Sequence, residues 1–311
     1  MWVVLAGVWL CLTGAAAAVP VPVTVDLTAA DPLTYRGVVA GALQDHCDGR
    51  DRDVLAVAAV LYSKADGPSM WGHASMRFVV CDAGKLRDLE YEYYRFDDTS
   101  GAHVARRYRG FAFAQDGAYL RSLRGGLLLH RNEGTVDGGF YQAALTDRRE
   151  IYELWLDLDA AERRDLWQRA EQRYADQLGR FLAREPLEYR YVALGRNCTY
   201  QLQSDLIPGP IMPFMFYRKL QRGGDVRLVV LHPSAHVLSD IVEDHGGAAG
   251  LAAAVGSGAV VIDRPRPLLR RSGLRTGERE ALAEQLAGRV GPAVDAVIPG
   301  DESQGGRAVA P

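Results

Sequence analysis

The stretches Val54-Leu-Ala-Val-Ala-Ala-Val-Leu-Tyr62, Trp71-Gly-His-Ala-Ser-Met-Arg77 and Leu86-Arg-Asp-Leu-Glu-Tyr-Glu-Tyr-Tyr-Arg-Phe96 decide the fold. The first is a short apolar run bounded by charge, as in a strand buried on both faces. Ser63-Lys-Ala-Asp-Gly-Pro-Ser69 then reads as a loop from its turn-forming residues. A second strand runs over Ala74 to Cys81 and a third over Leu86 to Phe96. In the third, Leu89, Tyr91 and Tyr93 alternate with Glu90, Glu92 and Tyr94, which gives one apolar face and one polar or functional face.

Outward from these strands, Val19 to Asp31 is a Val-rich, Pro-interrupted lead-in expected to be extended, and Thr34 to Gln44 is expected to be a short helix. Phe111 to Phe113 and Leu127 to Leu129 are weaker strand signals. The clearest helix runs over Ala160 to Ala183. Asp159 and Glu162 form a capping-box pattern at its start, and Leu166, Ala170, Tyr174, Leu178 and Leu182 share one face. A further helix is expected from Cys198 to Leu206, stopped by Pro208, then a strand over Arg227 to Leu231. Glu278 to Leu286 reads as a helix with Thr276 as its N-cap, and Asp301 to Pro311 as a disordered tail. With no internal repeat and no low-complexity linker, the expectation is one α+β domain over residues 19–233, with a C-terminal extension over 234–311.

Hydrophobic residues make up 48% and charged residues 24% of the chain, as in soluble globular proteins. A net charge of −3 offers no basic surface for tracking phosphates, which argues against nucleic acid as a partner. Met1 to Leu12 is continuously apolar and Gly14 to Ala18 is small, so residues 1–18 read as a signal peptide, although no Lys or Arg precedes the apolar run. The protein is therefore expected to be exported or periplasmic, soluble or peripherally membrane-associated. The most apolar later stretch, Gly246 to Ile262, is too rich in Gly and Ala to span a bilayer.

Removing the leader takes Cys11 and leaves Cys47, Cys81 and Cys198. An odd count in an oxidising compartment suggests one disulfide and one free thiol. If Val54–Tyr62 and Ala74–Cys81 pair as a hairpin, Cys47 and Cys81 approach the same end. Cys47–Cys81 is then the expected disulfide and Cys198 the free thiol; the alternative is three reduced, buried cysteines.

Two short elements carry chemistry. In Trp71-Gly-His-Ala-Ser-Met-Arg77 a His enters a strand directly after Gly72. In Gly195-Arg-Asn-Cys-Thr-Tyr200, Asn197 can cap a helix whose first residue is Cys198. A thiol there feels the positive end of the helix dipole and unpaired backbone N–H groups, which favour the thiolate. The same N–H groups can hold an oxyanion. An imidazole nearby would take the thiol proton and return it to a leaving group. Each element alone has a plain structural reading, a packed Cys or a strand-end His. His46, His103, His130, His232, His236 and His245 show no metal-ligand spacing, so neither metal nor cofactor is expected.

Taken together, Gly72-His73-x-x-Met76-Arg77, the aromatic-rich Tyr91 to Phe113, Leu154-Trp-Leu156, Tyr189-x-Tyr191 and Asn197-Cys198-Thr199 resemble, in order, the Lnb N-terminal periplasmic domain family, formerly a domain of unknown function. The resemblance covers roughly residues 50 to 225, with Met76 where Leu is commoner. It implies a circularly permuted papain-like (NlpC/P60-like) fold, an antiparallel sheet packed against helices that include the nucleophile-bearing one. It further implies Cys198 as nucleophile, His73 as base, a phospholipid acyl donor, and a lipoprotein or other amine acceptor at a membrane surface. Many members of that family carry a membrane segment, so a membrane-anchored partner is a possible counterpart for this chain.

The residue that orients His73 is expected to be Glu92 or Glu90 on the neighbouring strand; otherwise both face solvent. Arg77 either pairs with an acidic side chain or binds a head-group phosphate. Asn197 is read as a helix cap, with Gly72 and Thr199 as support. Ile211-Met-Pro-Phe-Met-Phe-Tyr217 is the candidate surface for a lipid tail, or else core. Two other functions fit the same residues: a peptidoglycan amidase or endopeptidase, and a non-enzymatic periplasmic binding domain.

Overall fold

The computed structural model describes residues 23–25, 43–62, 72–133, 151–192, 197–206, 219–220 and 225–232, with scattered positions between 243 and 253. The expectations for 34–42, the 63–69 loop, 211–217, 278–286 and 301–311 lie outside the described residues.

Seven strands form one sheet: β1 (Val23–Val25), β2 (Asp53–Tyr62), β3 (His73–Asp82), β4 (Lys85–Arg95), β5 (Leu127–Glu133), β6 (Ile151–Leu156) and β7 (Val226–His232). Their order is β1-β7-β6-β2-β3-β4-β5. β1 runs parallel to β7, and every other neighbouring pair is antiparallel. Five α-helices and one short 3-10 helix (Gln44–Cys47) accompany the sheet among the described residues, the α-helices being α1 (Asp98–Arg107), α2 (Ala112–Gln115), α3 (Gly117–Ser122), α4 (Ala160–Leu182) and α5 (Cys198–Asp205). The architecture is α+β, a mostly antiparallel sheet with helices.

The β3–β4 connection sets the register on which the site depends. Ala83 and Gly84 both have positive φ (51° and 73°), the backbone of a tight two-residue hairpin turn. Ala83 adopts it with its N–H donated to Asp51 Oδ1 at 2.8 Å, and Gly84 donates to the Arg50 carbonyl at 3.1 Å. The turn aligns Ser75 with Glu92 and Arg77 with Glu90. A slip of one residue would send each of these side chains to the other face.

Because side chains alternate along a strand, the sheet has two distinct faces. On one, Ala59, Leu61, Ala74, Met76, Phe78, Leu89, Tyr91 and Leu154 pack with Leu166, Ala170 and Tyr174 of α4 and Leu202 and Leu206 of α5. Full burial of each large aliphatic side chain there contributes roughly 1.5–3 kcal/mol. On the other face, Leu43, Cys47, Leu55, Ala58, Val79, Cys81 and Trp155 form a second apolar cluster. The disulfide between Cys47 and Cys81 lies in this second cluster.

Phe111 to Phe113 is not a strand. Phe111 closes a turn by donating its N–H to the Tyr108 carbonyl at 2.9 Å, and α2 begins at the next residue. Phe-Ala-Phe alternates as a strand would, but Phe113 is buried against Phe181 of α4 (ring centroids 5.3 Å apart), and no strand among the described residues pairs with this segment. Asp97 caps α1 by accepting from the Ser100 N–H, and Asp116 caps α3 through the Ala118 and Tyr119 N–H groups. The capping box of Asp159 and Glu162 on α4 is formed.

Candidate functional site

Gly72 has φ +69°, a conformation that a side-chain-bearing residue adopts with strain, and it delivers the chain into β3 so that His73 is the first strand residue. His73 is buried, opposite Tyr62 of β2 and stacked on Tyr94 of β4 with centroids 5.6 Å apart. Its Nε2 lies 3.0 Å from Glu92 Oε2. An ionised carboxylate only accepts hydrogen bonds, so Nε2 carries the proton in this pair. The lone pair of a neutral His73 is then on Nδ1.

Glu92 is held on its other oxygen as well. Its Oε1 accepts from the Tyr94 hydroxyl at 2.6 Å and from Asn132 Nδ2 of β5 at 2.5 Å. Burial alone would raise this carboxyl; the hydrogen bond and charge of His73, followed by Tyr94 and His130, outweigh it and bring the group below its ordinary value. Of the two carboxylates expected near His73, Glu92 makes the contact. Neither faces solvent: Glu90 and Glu92 are 1% and 0% exposed.

Glu90 anchors a separate group. Its Oε1 accepts from the Tyr62 hydroxyl at 2.5 Å and from the Ser75 hydroxyl. Burial, then the charges of Glu90 and Glu92, push the Tyr62 phenol well above its ordinary value, so it serves here as a neutral donor. Further along the same face, Arg77 is wholly buried. Its Nε and Nη2 donate to the two Asp88 oxygens at 2.9 Å each, and Nη1 donates to Glu153 Oε1 at 2.9 Å. Its guanidinium also lies over the Trp155 ring at 5.2 Å. These contacts assign Arg77 to the ion-pair alternative and leave the phosphate alternative without support.

Cys198 is the first residue of α5, and Asn197 is its N-cap, with Oδ1 accepting from the Tyr200 N–H at 2.8 Å. Thr199 is buried on the same turn. The Cys198 side chain lies outside the description. Tyr189 and Tyr191 lie at the end of the sheet where His73 sits: Leu127 N–H donates to the Tyr189 carbonyl at 2.8 Å, and Tyr191 N–H to the Gly125 carbonyl at 2.9 Å. Leu127 is aligned with Arg95, the last residue of β4. The body of α5, however, packs through Leu202 and Leu206 with Ala74 and Met76. His73, one residue before Ala74, projects from the opposite face, with Tyr62, Glu92 and Tyr94. The structure thus brings His73 and Glu92 together and leaves the α5 body across the sheet from them.

Asn132, Tyr62 and Ser75 belong to this site and were not singled out from sequence, and Tyr94 was read only as part of the polar face of its strand. For Asn132 a signal existed: in Leu127-Leu-Leu-His-Arg-Asn-Glu133, His130 and Asn132 share a face, which an antiparallel pairing with β4 sets beside Glu92 and Glu90. Among the described residues, no cluster of His, Cys, Asp and Glu has the form of a metal site, and no helix is long and apolar enough to cross a membrane. Compared with family models, with curated proteins and with solved structures, the chain matches none of them.

Proposed function

We propose that the chain is an exported, periplasmic Cys–His acyl-transfer enzyme of the permuted papain-like kind. Cys198 is the nucleophile, His73 the general base through Nδ1, and Glu92 the carboxylate that orients the imidazole. The observation that carries this reading is the buried His73–Glu92 contact, with Glu92 held on both oxygens. A base must present one nitrogen in one orientation, and a carboxylate fixed by Tyr94 and Asn132 does that.

In the first step the Cys198 thiol proton passes to His73 Nδ1 and the sulfur attacks an acyl carbonyl. Collapse of the tetrahedral adduct forms a thioester, and the departing alkoxide takes the proton from the imidazolium. An amine or water then attacks the thioester, its proton passing through His73 back to sulfur. The family resemblance favours a phospholipid as acyl donor and a lipoprotein or other amine as acceptor. The reading requires the Cys198 sulfur to meet His73 past the Gly72 end of β3, because α5 packs on the opposite face. The position of Tyr189 and Tyr191 at that end of the sheet, a few residues before α5 in the chain, supports this reading.

The test is to incubate the protein with phospholipid and, separately, with peptidoglycan fragments, and to look for an acyl adduct on Cys198 by intact mass. A lipid-derived adduct that disappears in Cys198→Ala and in His73→Gln is the expected result. Adducts from peptidoglycan fragments alone would move the reading to an amidase. Adduct formation or thiol alkylation indifferent to His73→Gln would sink the pair, and an unreactive Cys198 near neutral pH would leave a binding domain.

A further inference from the structure

Away from this site, residues 95–131 hold seven arginines against three acidic residues, in a chain whose net charge is −3. The three acids are engaged within the fold. Asp97 caps α1, Asp98 pairs with Arg124, and Asp116 caps α3 and pairs with Arg184 at 3.2 Å. Arg106 and Arg109 are exposed and form no ion pair among the described residues. Between Arg106 and α2 lies the turn Tyr108-Arg-Gly-Phe111, whose tip residues Arg109 and Gly110 are exposed.

Phe111 follows at 42% exposed, stacked on Phe113 with centroids 5.7 Å apart. Phe113 in turn meets Phe181, whose neighbour Leu182 is 55% exposed. Two of the three large apolar side chains exposed among the described residues therefore border one aromatic cluster, beside unneutralised arginines. A lone exposed Phe is unremarkable on a protein surface. An aromatic beside a turn tip, with flanking guanidinium groups that form no ion pair among the described residues, has the chemistry of a peripheral membrane anchor. The ring enters the head-group boundary and the cations meet lipid phosphates.

We propose that this turn is a docking surface for an anionic phospholipid bilayer, with Phe111 as the inserted side chain and Arg106 and Arg109 as the lipid-phosphate contacts. Charge complementarity selects the partner. A zwitterionic surface offers these arginines little, and a soluble polyanion offers nothing to Phe111. The inference stands on the patch alone and does not require the Cys198 chemistry.

The experiment is co-sedimentation of the full chain with vesicles of phosphatidylglycerol and phosphatidylcholine in equal parts, and with phosphatidylcholine alone. Binding to the mixed vesicles at least about tenfold tighter, and weakened by salt, is expected from the surface potential. Arg106→Glu with Arg109→Glu removes that preference, and Phe111→Ser weakens binding severalfold. All three positions are exposed, so the thermal unfolding curves of the variants should match that of the parent. Phe111→Trp supplies a second readout, a blue-shifted emission with mixed vesicles. Equal binding to both vesicle types, or indifference to the arginine changes, overturns the proposal. So does absence of the tryptophan shift. Competition by heparin with no contribution from Phe111 assigns the patch to polyanions instead. Cys198→Ala should bind vesicles as the parent does, so loss of the acyl adduct and loss of docking are separate outcomes.

Discussion

Ala74, Met76 and Phe78 meet α4 and α5 across an apolar interface, while Ser75 and Arg77, interleaved on the same strand, meet carboxylates. Both sets are buried to a similar degree, yet they do different things. The apolar face obtains its free energy from area removed from water, which any well-fitting side chain supplies. The polar face must satisfy each group individually, because a buried charge without its partner is costly. Asp88, Glu90, Glu92 and Glu153 lie on one side of the sheet with Arg77 and several imidazoles, and each needs its own partner there.

Breaking the comparison is easiest at Arg77. Arg77→Met leaves Asp88 and Glu153 buried without their shared cation and should cost roughly 3–5 kcal/mol, read as a lower midpoint in urea unfolding. A loss below about 1 kcal/mol would show that the polar face is as tolerant as the apolar one.

Acidification sharpens it next. The Glu92 carboxyl is held below its ordinary value of 4.5, so its contribution is fully present above that value and is lost as pH falls through the lower folded value. Stability should therefore decline on acidifying below about 4.5, and Glu92→Gln should flatten that limb of the pH–stability curve. An unchanged curve in Glu92→Gln would remove Glu92 as the linked group.

Met76→Leu, on the apolar face, conserves volume and should change stability by less than about 1.5 kcal/mol. The smallest effect is expected at the edge of the site. Asn197→Ala removes the cap of α5 and should cost about 1 kcal/mol in thermal or urea unfolding. A second readout there is the pH dependence of Cys198 alkylation. It should shift to higher pH if the cap holds the thiol at the positive end of the helix.

β2 was legible as an apolar run bounded by charge, β4 from alternation, and α4 from its capping box and its apolar positions at steps of four. Asn197 was legible as a cap because the chemistry of that position is local. The Cys47–Cys81 bridge followed from a hairpin that brings two strand ends together. Harder to read were Phe111 to Phe113, where a short alternating run has no signal for the absence of a strand partner. Asn132 was harder still, since its contact with Glu92 depends on how β5 aligns with β4.

The sequence by itself determined which residues of β4 and of α4 share a face, and where α4 and α5 begin. Those properties depend on backbone periodicity and on neighbours a few positions away. Only the tertiary structure decided that Glu90 and Glu92 are buried and that Glu92 takes His73 while Glu90 takes Tyr62 and Ser75. It also decided that α5 packs on the face opposite His73. A period of two says which side chains point the same way, but what covers each face depends on segments far along the chain.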